Sequence, residues 1–378
     1  MEPSERTHRV LMSTDTVGGV WTYTLELAGR LCERGMWVDL AAMGREPSPE
    51  QRRAAEAIGG LTFSARPYRL EWMKDPWEDV DAAGRWLVEM AERRPPDVVH
   101  LNTLVHGNLD WSAPVLTVGH SCVLSWFEAV KGQSAPADWS RYARRVTDSL
   151  QASDWVVAPT HAMLDELERH YGPFSRCEAI YNGRSAKGYE PRVGDEIVLS
   201  AGRLWDEAKN IEAVARAAER IDWPVYVAGA REHPDGGSST PLGRARPLGQ
   251  LPSDQLAEWY ARAAIYALPA RYEPFGLTAL EAALSDNALV LGDIDTLREV
   301  WGESAVYVDP ERPDQLATTI QALIEQPGRR HRLARRALRR AKSLSAESMV
   351  DGYVDLYERM VAQHATVAPS ASPGRSAR

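Results

Sequence analysis

The sequence predicts an α/β protein of two doubly wound parallel-sheet domains that face each other across a central cleft. Three observations carry this expectation. Apolar runs of strand length alternate with longer amphipathic segments from end to end, the pattern of parallel sheets covered by helices on both faces. The 378 residues, 44% of them hydrophobic, exceed one ordinary domain, and two domains of usual size can each bury a core. After Asn182-Gly183 the alternation breaks, because Arg184 to Pro191 holds turn formers with no sustained period.

In the first half, strands are expected at Arg9 to Ser13, Trp37 to Ala42, Leu61 to Ser64, Asp97 to Leu101, Val115 to Val118 and Trp155 to Ala158. Helical periodicity fills the intervals. Val20 to Leu31 is one such helix, with Leu25, Ala28 and Leu31 on one face, and Asp138 to Leu150 is another. The break places a linker between a domain of residues 1–188 and a second of residues 189–345. The second series of strands is Ile197 to Ser200, Val225 to Ala228, Ile265 to Leu268, Ala288 to Leu291 and Ala305 to Val308. Residues 346–364 read as a final helix, expected to pack back on the first domain. The tail 365–378, rich in Pro, Ser, Ala and Gly, is expected to be disordered.

A net charge of -9 argues against a general nucleic-acid binder. Cys32, Cys122 and Cys177 are odd in number and widely spaced, with no CxxC or Cys/His arrangement, so reduced thiols are expected. The N-terminal residues lack an apolar core of signal-peptide length, and nowhere do 18 uncharged apolar residues run together. A cytoplasmic location is the expectation.

The segment Arg271-Tyr-Glu-Pro-Phe-Gly-Leu-Thr-Ala-Leu-Glu281 is the most informative stretch. Ala264 to Leu268 before it reads as a buried strand, and Pro274 can open a helix just after Glu273. Leu277, Leu280 and Leu284 define an apolar face, and Glu281 lies on or beside it. A carboxylate there is costly unless something pairs with it. One reading of the two glutamates is ordinary helix packing, with Glu273 favoured by the helix dipole and Glu281 at the core edge. The other is a ligand site, in which the amides of Gly276, Leu277 and Thr278 face a phosphate while the carboxylates accept hydrogen bonds from hydroxyls. A nucleotide sugar has both groups.

The second domain's first strand ends in Ser200-Ala201-Gly202-Arg203, and Lys209 follows six residues later, before a helix containing Ile211, Val214 and Ala218. Solvated loop charges would be the ordinary explanation. At the C-terminal edge of a doubly wound sheet, however, a guanidinium and an ammonium suit a diphosphate leaving group, and can take the place of a metal ion.

Gly202-Arg203, Lys209, Leu248-Gly249 and Glu273-Pro-Phe-Gly-Leu-Thr-Ala-Leu-Glu281 together resemble family 4 glycosyltransferases, retaining enzymes with the GT-B fold of two Rossmann-like domains. The match spans most of the chain, and the Glu-x7-Glu segment within this order is its specific part. The resemblance implies that Arg203 and Lys209 hold the donor diphosphate, that Glu273 contacts the transferred sugar, and that Glu281 binds the nucleotide ribose. Backbone amides of Phe275, Gly276, Leu277 and Thr278 would complete the cradle. It also makes the first domain the acceptor side and the second the nucleotide-sugar side.

Thr14 to Trp21 is a glycine-rich turn opening a helix; GxGxxG is absent, so alone it is a tight turn, but the resemblance lays Gly18 and Gly19 over the donor phosphates. His120 follows the strand ending at Val118 and, by the same resemblance, faces the donor sugar; His161 reads as part of a helix start. The pattern departs where Arg184-Ser185 replaces a frequent Val-Asp and Asp295-Thr296 a frequent Gly-Gly. Asp79-Val-Asp81 and Asp293-Ile-Asp295 formally match a DxD metal motif, but each reads as solvated carboxylates, and no metal or other cofactor is expected. Of thirteen tryptophans nine precede the linker, and Trp21 and Trp126 are candidates for stacking on an acceptor. Arg329 to Lys342 holds seven arginines, one lysine and one histidine on a helical pattern; it reads as a solvated face, with peripheral contact to an anionic membrane as the alternative.

The expectation is a retaining, metal-independent hexosyltransferase that moves a sugar from a nucleotide diphosphate to a hydroxyl acceptor. A nucleotide-sugar epimerase of the same architecture and a non-catalytic sugar or membrane-surface binding protein are the rivals.

Overall fold

The computed structural model describes residues 8–191, 194–231 and 241–367. Seven parallel strands form the first sheet: β1 (Arg9–Asp15), β2 (Trp37–Met43), β3 (Leu61–Ala65), β4 (Val98–Leu101), β5 (Val115–Val118), β6 (Trp155–Ala158) and β7 (Cys177–Ala179), ordered β3-β2-β1-β4-β5-β6-β7. The second has β8 (Asp195–Ala201), β9 (Val225–Ala228), β10 (Arg246–Gly249), β11 (Ala263–Leu268), β12 (Ala288–Gly292) and β13 (Val306–Val308), ordered β10-β9-β8-β11-β12-β13 and again parallel. Two strands, β7 and β10, were not expected from the sequence. Both are edge strands, and Arg246-Pro-Leu-Gly249 carries a proline that only an edge tolerates, so neither shows the apolar run that burial on two faces produces.

Central strands are buried and mostly apolar because helices cover both faces of each sheet. In the second domain Leu199, Tyr266, Leu268, Leu289 and Leu291 face one buried cluster, and Val198, Val227, Ile265 and Val290 face the other. Strand order reverses between β1 and β4 and between β8 and β11, and at such points the loops after the strands part to leave a crevice. These two crevices face each other.

The helix Ala346–Val367 lies on the first sheet, where Met349, Val350, Tyr353, Leu356, Tyr357 and Met360 share a core with Val10, Met12 and Leu40. It includes 365–367, which the sequence reading assigned to a disordered tail. No Pro or Gly interrupts Ala365-Thr366-Val367, and Pro369 is the first residue that cannot continue the helix. The rest of that tail, 368–378, lies outside the described residues. To reach the first sheet the chain crosses back beside its first crossing: Arg184 N–H donates to Leu344 O at 3.1 Å, and Ala346 N–H to Arg184 O at 3.3 Å. Cys32, Cys122 and Cys177 are free thiols. No helix among the described residues is long and apolar enough to cross a membrane.

Candidate active site

A cleft of about 1260 Å³ lies between the domains. A single small ligand occupies roughly 300–1,000 Å³, so two substrates fit. At the second domain's switch point, Lys209 follows β8 and Glu273 follows β11. Their side chains meet, Nζ to Oε2, at 2.6 Å and are both largely buried. The other oxygen of Glu273, Oε1, accepts from the Gly276 amide at 3.1 Å, while Thr296 Oγ1 donates to the Glu273 carbonyl at 2.6 Å. Gly202 makes room for the lysine, since a Cβ there would stand 3.2 Å from Lys209 Cγ.

The helix expected to open at Pro274 begins instead at Leu277. Its cap is Gly276 at φ 89°, a left-handed conformation natural to glycine, and the amide of Gly276 is taken by Glu273. Leu277 and Thr278 open the helix, and helix geometry provides no intrahelical acceptor for their amides. The turn from Glu273 through Phe275 thus aims a positive helix end into the cleft.

Arg203 bonds Asp206 at 2.6 Å and lies over the Trp205 ring. Burial alone would raise Asp206, but Arg203, then Lys209, hold its carboxyl below the usual carboxylate range. From the other domain, the glycine turn after β1 reaches across. Gly18 has φ 96°, and a Cβ on it would lie 3.3 Å from Arg203 Nη1; one on Gly19 would lie 3.6 Å from Leu277 Cδ1. Of the expected site residues, Gly18, Gly19, Gly202, Arg203, Lys209, Glu273 and Phe275, Gly276, Leu277 and Thr278 line one cleft.

Glu281 also lines this cleft, and its carboxylate is paired with a residue of the chain itself. It is buried, and its Oε1 accepts from Arg184 Nε at 3.0 Å; Arg184 also bonds Glu26 at 2.9 Å and Tyr189 at 3.0 Å. The departure Arg184 therefore supplies the partner a carboxylate on that helix face needs. Burial opposes the charge on Arg184, but Glu281, Tyr189 and Glu26 together raise its pKa. Leu248 and Gly249 are placed differently: Leu248 packs on the core, Gly249 O accepts from the Gly229 amide, and Gln250 to Ser253 line the cleft instead. Both residues lie within edge strand β10, and the loop that reaches the cleft begins only at Gln250.

His120, at the first domain's crevice, donates from Nε2 to Asn102 Oδ1 at 2.7 Å. Asn102 is oriented by its own Nδ2, which donates to Ser13 O across the β1/β4 switch at 2.8 Å. This leaves His120 Nδ1 as an acceptor, and burial pushes the ring to about 3, so it is neutral at ordinary pH. Trp21 is buried against Phe63, Trp126 donates from Nε1 to Asp206 Oδ1 across the domains at 3.3 Å, and both border the cleft. His161 is the first residue of its helix, with Thr160 as the cap, and the amides of His161 and Ala162 both bond Glu299 of the second domain at 2.8 Å. In the formal DxD pairs Asp81 is bonded to Arg145 and Asp293 to Arg298. Among the described residues a group suited to metal binding is Glu128, Glu166 and His170; Arg169 bonds both glutamates, and none of the three lines the cleft.

The family model for Glycosyltransferase Family 4 matches residues 17–186, and that for Glycosyl transferases group 1 matches residues 195–326, one model on each domain. The chain belongs to glycosyltransferase family 4. Among its relatives is a D-inositol 3-phosphate glycosyltransferase of Rhodococcus jostii, 27% identical over 91% of this chain and 85% of that protein. Another is a glycogen synthase of Mycobacterium tuberculosis, 25% identical over 86% of this chain and 87% of its own. The family 4 chain also superposes on the sucrose-phosphate synthase of Thermosynechococcus elongatus with a TM-score of 0.79 at 19% identity, covering 95% of this chain and 100% of that one. Anabaena HepE in complex with UDP-glucose matches with a TM-score of 0.75 at 15% identity, over 93% of this chain and all of that one. These likenesses establish the GT-B fold, and the family makes the chain a glycosyltransferase.

Two features of this family 4 site escaped the sequence reading. Asp15 and Glu71 are buried carboxyls on the first-domain side of the cleft. Asp15 stands directly before the glycine turn at the end of β1, the one signal that could have found it.

Proposed function

We propose that this glycosyltransferase moves a hexosyl group from a nucleotide-diphosphate donor to a hydroxyl acceptor with retention of anomeric configuration and without a metal. The observation that carries this is the Lys209–Glu273 pair beneath an open helix end, with Arg203 alongside. The cationic groups and the Leu277 and Thr278 amides suit a diphosphate, and the neutral His120 offers Nδ1 to a sugar hydroxyl. As the anomeric C–O bond breaks, its electron pair leaves with the diphosphate, where Arg203 and Lys209 stabilise the growing charge. The acceptor oxygen attacks from the same face, and its proton passes to the departing phosphate oxygen.

Glu273 is not the nucleophile in this reading. Both its oxygens are engaged, one by Lys209 and one by the Gly276 amide, so it orients and balances charge. Glu281 reaches a ribose only if Arg184 shares it. A cytoplasmic address belongs to the same proposal, and peripheral membrane contact would use the exposed face of the helix Pro327–Ser343.

Incubating the purified chain with UDP-, GDP-, ADP- and dTDP-hexoses, with and without acceptor mixtures and with and without EDTA, tests the reading. Acceptor-dependent donor consumption that survives EDTA is expected. Acceptor-independent epimer formation, or binding without turnover under every condition, would sink it.

A further inference from the structure

The first-domain wall of the cleft has an unusual charge for a site next to a diphosphate. Asp15 is 8% exposed and Glu71 7% exposed, and both line the cleft. Asp15 Oδ1 accepts from the Val17 amide at 2.6 Å, and Glu71 Oε1 accepts from the Leu104 amide at 3.1 Å. Among the described residues no ion pair reaches either. Arg203, the cation whose charge acts on Asp15, is turned to Asp206, and Arg45, also on the lining, is exposed to solvent.

Other groups on this side of the cleft add acceptors. His120 presents Nδ1, and one of the two Nδ2 hydrogens of Asn102 is taken by Ser13 O. The Thr103 hydroxyl is committed to His106 Nδ1, because His106 Nε2 donates to Val80 O. Burial, with Glu71 adding repulsion, outweighs the Val17 amide and Arg203 and raises Asp15 to about 7; burial raises Glu71 too. Two buried carboxyls without an ion pair carry a desolvation cost that a ligand bearing positive charge relieves and one bearing negative charge increases.

We propose that this wall is an acceptor subsite for a polyhydroxyl compound bearing a protonated amine, and that it discriminates against phosphate-bearing acceptors; the proposal rests on the glycosyl-transfer reading above. It separates this chain from its relatives named as D-inositol 3-phosphate glycosyltransferases. The ammonium sits between Asp15 and Glu71, and a neighbouring hydroxyl is left to attack the donor sugar.

Calorimetric titration of the full chain, saturated with whichever of UDP, GDP, ADP and dTDP binds best, tests this with three cyclitols of one scaffold: neutral, amine-bearing and phosphate-bearing. The amine is expected to bind at least about tenfold tighter than the neutral compound, the scale of one charge-assisted contact, and the phosphate most weakly. Asp15→Asn and Glu71→Gln, each made singly so that one misfolded variant does not end the test, should erode the amine preference and leave nucleoside-diphosphate affinity in place. Phosphate binding equal to or tighter than the neutral compound, or no gain from the amine, overturns the proposal. Failure of the transfer reading would show separately, as absent nucleoside-diphosphate binding or absent turnover, while the order of the three cyclitols still decides the subsite.

Discussion

Arg184 holds Glu26 of the first domain and Glu281 of the second with one guanidinium, largely out of solvent. Replacing it with Met would leave Glu281 buried without its cation and Glu26 with only Arg30 at 3.6 Å, a loss of about 3–5 kcal/mol in unfolding free energy. Urea denaturation reads this, and adding Glu281→Gln to the Met variant should recover part of it; an unchanged midpoint would show that the contact contributes nothing. Lys209→Ala removes a cation assigned to the leaving group, so kcat/KM should fall by about 2–3 kcal/mol of transition-state free energy. Unaltered kcat/KM would take Lys209 out of the site. Glu273 and Glu281 were legible in the sequence because their spacing is local to one turn and helix. Arg184 was visible only as a departure from a pattern, since its partners lie 158 and 97 positions away and no periodicity links them.

The strands that position the site were readable for a simple reason. β1, β4, β5, β8 and β11 are largely buried on both faces, and that burial writes itself as a mainly apolar run such as Val10-Leu11-Met12 or Ile197-Val198-Leu199. Edge strands β7 and β10 lack that pressure, and the helix after β11 starts three residues beyond its proline because a glutamate-to-amide turn intervenes, a tertiary choice that local propensity does not encode. The same central strands set a pH response. Burial lowers His100 on β4, helped by His120, to about 3, and lowers His106 just after it to about 4, against an ordinary 6.5. Because the folded values lie below the unfolded one, this stability is fully present above 6.5 and is lost as pH falls toward 4 and 3. Asp15 acts in the opposite sense: its folded value of about 7 lies above 3.8, so its contribution declines as pH rises from 3.8 to about 7. Urea midpoints measured across this range should therefore drop on acidification in the wild type. They should rise more steeply toward neutrality in Asp15→Asn, which lacks the opposing group; parallel curves for the two proteins would refute the Asp15 assignment.

At the scale of the molecule, two adjacent chain crossings join the domains while a series of contacts closes the cleft. Trp126 meets Asp206, Lys131 meets Glu207, the Cys122 amide meets Tyr272, and Glu299 accepts two amides of the helix His161–Tyr171. Closure of this kind brings the glycine turn of one domain onto Arg203 and Leu277 of the other, and in the proposed transfer it would keep water from the donor. Each half of the site was legible as a strand end with its loop; which loops face each other is a property of the assembled pair of sheets. The central claim is transfer on the face from which the diphosphate departs, with no protein carboxylate as nucleophile. Proton NMR of the product formed from a nucleotide hexose of known anomeric configuration tests it most directly. The account predicts a product with the donor's configuration, formed by the wild type and much more slowly by Lys209→Ala; an inverted product would contradict it.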